Sequence, residues 1–151
     1  MNNRLLLPLF AFGILLFMGL YFLVNPSYQK SIQAKYYFEM GEYNEAYSLA
    51  KEAFSFDVYN RMATTIMAQS KTSLKYVSYV KSAKKYMKEI DEIAEHETIS
   101  DADKAKIRLI CEIMIDSFVK LAPSIITDND LVEEASSYKE KFEQLLEKVT
   151  R

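Results

Sequence analysis

Hydrophobic and polar positions divide the chain at Asn25-Pro26. Upstream, LLLPLFAFGILLFMGLYFLV runs from Leu5 to Val24 without a charged residue. At about 1.5 Å rise per residue, such a run matches a bilayer core of roughly 30 Å. The pattern predicts a single transmembrane helix as an N-terminal anchor, residues 1–25. The rival is a cleaved signal peptide, since Arg4 supplies a positive n-region. Against it, the run exceeds an ordinary h-region, and LVNPSYQ lacks a small-x-small cleavage pattern. Pro8 falls in the first turns, where a missing N–H matters least, and Tyr21 suits the interfacial belt. Gly13 and Gly19 are not in GxxxG spacing and imply no dimerisation face. Arg4 and the α-amino group lie before the span, Lys30 and Lys35 after it, so the positive-inside count is close to a tie. The short leading tail favours an N-in anchor, which in a Gram-negative host is the bacterial inner membrane with residues 26–151 in the periplasm.

Downstream, apolar positions recur at three and four, and the prediction is all-α with about five to six helices over 26–151. Ser27–Met40 and Asn44–Phe56 form the first two, separated by Gly41. Ser100 with Asp103 makes a capping box. In KIRLICEIMIDSFVKLA, Arg108, Glu112, Asp116 and Lys120 form one polar stripe while apolar residues cover the other directions, as expected of a central buried helix. Pro123 closes it, and Thr127 with Asp130 offers the next cap. Leu131, Ala135, Tyr138, Phe142, Leu145 and Val149 form a narrow heptad seam. Docking of that seam on the preceding helices is expected over pairing with a partner's helix.

The stretch FEMGEYNEAYSLAKEAFSFD, residues 38–57, resembles the second half of a tetratricopeptide repeat. In that family a Gly-acid-Tyr turn joins two helices that touch through small alanines. The resemblance implies that Gly41 makes the turn, Tyr43 packs beneath it, and Ala46 and Ala53 let the helices approach. It also implies a groove that holds another protein. The family's closing proline is Val58 here, and the first helix carries Lys30, Gln33 and Ala34 where signature residues stand, with Tyr37 matching an aromatic slot. No clean second copy follows; a looser one stays open, with Arg61–Gln69 and Tyr79–Ala94 as its helices and SKTSLKYVS as an extended turn.

Composition then narrows the function classes. A formal charge of −2 argues against a general nucleic-acid binder. All of the eleven tyrosines except Tyr21 and Tyr138 fall between residues 28 and 86. Because Tyr joins a large contact area to a polar tip, Tyr36, Tyr37, Tyr76 and Tyr79 are the candidates to line a partner-binding groove. Lys81, Lys84, Lys85 and Lys88 share a helical face, with Lys71 and Lys75 upstream, and acids without Lys or Arg follow from Glu89 to Asp103. That polarity suits steering of a charged partner or contact with anionic lipid.

No catalytic, cofactor or metal site is expected. His96 stands alone between Glu95 and Glu97, and adjacent helix positions diverge. Cys111 sits in an apolar run and forms no intramolecular disulfide. No phosphate loop or nucleophile elbow occurs. The composite expectation is a membrane-anchored scaffold or assembly adaptor that binds protein partners in a membrane or envelope complex, without nucleic acid or small-molecule substrate. The alternative is a small structural subunit embedded permanently in a larger membrane complex.

Overall fold

Asn25 and Pro26 stop one helix and start the next. In a computed structural model describing residues 3–96, 98–124 and 127–150, α1 spans Asn3–Val24 and α2 spans Pro26–Glu39. Asn25 is the α2 N-cap: its side chain accepts from Ser27 N at 2.9 Å, and Pro26 at the first position needs no N–H partner. Leu7–Tyr21 and Pro26–Glu39 meet at a bend of 69°. Among the described residues no single helix is long and apolar enough to cross a membrane; this bent pair reaches the length and composition only together. The uncharged run also includes Leu5, Leu6 and Phe22, whose side chains lie outside those described.

Four further helices follow: α3 Tyr43–Phe56, α4 Arg61–Ala94, α5 Asp101–Val119 and α6 Asn129–Thr150. All six elements are α-helices, with no strand among the described residues. The chain forms two compact units, Met1–Ser70 and Lys71–Arg151, and α4 contributes to both.

In the first unit α2 and α3 form an antiparallel hairpin. Gly41 takes φ +79°, a left-handed conformation that L side chains resist. Its N–H bonds Phe38 O at 3.1 Å and the Glu42 N–H bonds Tyr37 O at 2.9 Å, the paired bonds of a Schellman close. Ala34, Ala46 and Ala50 are fully buried with Ile66 of α4, so the helices approach without large side chains between them. Ser27 Oγ donates to Ala53 O at 2.8 Å, which ties the start of α2 to the end of α3.

The extended turn at SKTSLKYVS does not exist: α4 is unbroken from Arg61 to Ala94. No Gly or Pro interrupts this stretch. Ser70, Ser73, Tyr76, Val80 and Ala83, spaced at three and four, keep one buried stripe running through it. The second copy of the hairpin is therefore absent.

The second unit packs the rest of α4 with α5 and α6. Its core gathers Tyr76, Tyr79, Val80, Ala83, Ile90 and Ile93 of α4, Ile107, Ile110, Cys111 and Met114 of α5, and Ala135 and Phe142 of α6. The heptad seam docks within the chain, since Leu131, Tyr138, Leu145 and Val149 pack on this core. The Ser100–Asp103 capping box is present, with both reciprocal bonds at 3.1 Å. Two expectations fail locally. Helix α5 is not buried all round: Leu109, Ile113 and Val119 are exposed, because only the Ile107-Ile110-Cys111-Met114 face meets the core. The cap of α6 comes from Asp128, whose carboxylate accepts Asp130 N at 3.0 Å, while Thr127 bonds Ser124 instead.

Candidate interaction sites

The four tyrosines that were candidates for a groove are divided between α2 and α4. Tyr36 and Tyr37 lie exposed on α2, their rings edge-to-face at 5.7 Å. Tyr76 and Tyr79 are core residues, 2 % and 5 % exposed. They sit on the same face of α4 as Val80 and Ala83, and that face is sealed by α5 and α6. Burial, aided by the Glu143 carboxylate, pushes the Tyr79 hydroxyl up to about 12, and that hydroxyl has no hydrogen-bond partner. Burial raises Tyr76 in the same direction.

The lysine face is partly consumed inside the chain. Lys84 binds Glu134 of α6 at 2.8 Å, and Lys88 pairs with Glu92 at 3.6 Å. The hydrogen bond and charge of Glu134 raise the Lys84 ammonium, and a matching pair, Lys106 with Glu89 at 2.7 Å, joins α5 to α4. Lys81 and Lys85 remain exposed and outside any ion pair among the described residues; Lys85 lies 5.9 Å over the Tyr86 ring.

A cleft of about 300 Å³ lies between α4 and α5. Ser78, Ser82 and Tyr86 form one wall, Ile113, Ser117 and Leu121 the other, with Tyr79 and Met114 below and Lys75 at the edge. Hydroxyls, one ammonium and exposed Ile113 give the cleft a mixed polar and apolar lining. Sequence periodicity hid this cleft, because its walls come from two helices whose lining faces meet only in the fold.

Of the residues read as a repeat signature, Gly41 stands in the turn between α2 and α3, and Tyr43, Ala46 and Ala53 lie on α3. Tyr43 is buried, with its ring edge-to-face on Phe38 at 5.4 Å, and Ala46 and Ala53 are fully buried. One residue that sequence reading missed is Asn60. It is 2 % exposed and bonds both Ser27 and Ser31, and its Oδ1 accepts Ala63 N at 3.1 Å as the α4 cap. The signal available was an Asn immediately before a helix. Among the described residues, no three His, Cys, Asp or Glu side chains gather as a ligand set. Cys111 is fully buried and its thiol is pushed up to about 11 by burial and Glu112. His96 is exposed, and its neighbour Glu97 lies outside the described residues.

No family model matches the chain, and neither a curated protein nor a solved structure matches it.

Proposed function

We propose that this chain is a membrane-anchored scaffold or assembly adaptor, held by α1 and docking a protein partner of a membrane or envelope complex. The observation that carries the reading is the state of α1. Its described large apolar side chains range from 48 % exposed at Ile14 to 78 % at Leu7, and they point in every direction around the helix. Water tolerates such a surface poorly, whereas lipid tails cover it without demanding any polar partner. With Leu5, Leu6 and Phe22 included, the uncharged run reaches bilayer length. On this reading the chain makes a single pass in a bacterial inner membrane, with residues 26–151 in the periplasm.

The α2–α3 hairpin supports a tetratricopeptide-like origin through Gly41, Tyr43 and the alanine contacts, although a single hairpin presents no concave array. Partner docking is assigned instead to the α4–α5 cleft, where Lys75 attracts an acidic segment and Ile113 gives it an apolar seat. Photoreactive residues at Ser82 and Ile113, with Glu140 as reference, test this in native membranes. The expected result is one discrete protein adduct from the cleft positions and none from Glu140. Adducts from all three positions support the embedded structural subunit, and none from any position removes the cleft.

A further inference from the structure

Helix α2 is built inside out. The residues it buries are small or polar, Ser27, Ser31 and Ala34. Ile32 at 60 %, Tyr36 at 60 % and Met40 at 63 % stand exposed. At 100° per residue, these three fall with Gln29 and Gln33 on one uncharged strip opposite the buried face. An exposed apolar strip on a helix whose inner face needs none implies a cover.

Its place in the fold indicates which cover. The Gln29 side-chain amide reaches back and donates to the Leu23 carbonyl, so this strip is the face of α2 turned toward the end of α1. Since α2 leaves α1 at 69°, an α1 upright in a bilayer puts α2 close to the plane of the surface. The hairpin partner α3 packs on the opposite side, through Ala34, Ala46 and Ala50. The Lys35–Glu39 pair, at 3.6 Å, borders the strip and leaves it without net charge.

We propose that the Gln29-Ile32-Tyr36-Met40 face of α2 lies on the bilayer interface, its occupant being lipid, beside the point where α1 enters. The proposal rests on the anchoring role of α1. Tyr and Met suit that depth, the phenol tip staying with headgroups while apolar atoms meet the acyl boundary. Together α1 and α2 form an L-shaped anchor that fixes the tilt of the hairpin on the membrane.

Depth-dependent quenching tests it on the full chain in phosphatidylcholine and phosphatidylglycerol vesicles. Environment-sensitive fluorophores are placed on L16C, Y36C and K51C, with quenchers either at the headgroup or deep in the acyl chain. Native Cys111 is fully buried, and parallel labelling of the parent chain checks that it stays unlabelled. The expected pattern is deep quenching at position 16, headgroup quenching at position 36 several-fold stronger than at 51, and little quenching at 51. Quenching at 16 with position 36 unquenched and water-exposed overturns the α2 proposal and leaves the anchor standing. Position 36 shielded from water yet unquenched by lipid marks a protein occupant, a second copy or another chain, and also overturns it. Position 16 unquenched at every depth removes the anchor and the proposal together.

Discussion

The side-chain amide of Asn60 donates to Ser27 Oγ at 2.8 Å and to Ser31 Oγ at 3.2 Å, bringing together positions 33 and 29 residues apart. The Ser27 hydroxyl in turn donates a hydrogen bond to Ala53 O at 2.8 Å. Three helices are thus locked by one buried polar knot, with every donor in it used. An unpaired buried polar group costs about 1–3 kcal/mol, and losing an N-cap about 1 kcal/mol more. Asn60→Ala is expected to destabilise the first unit by ~2–4 kcal/mol in urea unfolding. Asn60→Asp, which keeps the cap acceptor, loses less. Equal losses for the two variants would mean that the amide donor alone matters and the cap adds nothing.

Gly41 holds φ +79° with nothing within 4 Å of an added Cβ, so strain rather than collision sets the cost of a side chain there. Gly41→Ala is expected to cost about 1–2 kcal/mol, and Gly41→Asn less, because Asn tolerates the left-handed region. Thermal unfolding of the two variants side by side gives the comparison. Equal stability of Gly41→Ala and the parent would show that the turn relaxes.

Alkaline pH is expected to weaken the second unit. Folding raises the Cys111 thiol from 9.0 to about 11 and the Tyr79 hydroxyl from 10.0 to about 12. Both groups are neutral when protonated, so the folded state holds its protons more tightly than the unfolded state does. Their contribution is therefore complete below the ordinary values and falls as pH climbs through 9.0 and 10.0 toward about 11 and about 12. Tyr79→Phe removes an unpaired hydroxyl and is expected to be neutral or stabilising by up to ~1 kcal/mol at neutral pH. It should also flatten the upper part of the alkaline decline. Urea midpoints measured across this range decide it, and an unchanged slope in Tyr79→Phe would show that Tyr79 does not titrate with unfolding.

Phe142 is fully buried at the centre of the second unit's core. Phe142→Ala is expected to lose ~3–5 kcal/mol, the usual range for emptying such a site. Ile113→Asp, on an exposed position, should change stability by less than about 0.5 kcal/mol while abolishing the Ser82 adduct. If that adduct persists in Ile113→Asp, the cleft has no apolar seat.

Local signals were the most legible part of the fold. Gly41 and the Ser100–Asp103 box each settle a helix end through their own backbone chemistry, and the structure places both as the residues indicate. The heptad seam showed a one-sided helix, and it docks within the chain. Serines and tyrosines misled, because their burial depends on neighbours distant in sequence. Ser70 and Ser73 suggested a turn, yet small side chains also fit a buried helix face. Tyr76 and Tyr79 suggested a groove, yet their spacing with Val80 and Ala83 carries them into the core. Lys84 offered a free charge until α6 supplied Glu134. Asn60 was invisible as a tether because its partners lie 29 and 33 residues back.

Residence of α1 in lipid is the central claim, and flotation of the full chain through a density gradient after an alkaline carbonate wash tests it most directly. The chain is expected to stay with the vesicles, and Leu16→Arg combined with Phe12→Arg to release it. Recovery of the unaltered chain in the carbonate supernatant would contradict the anchor.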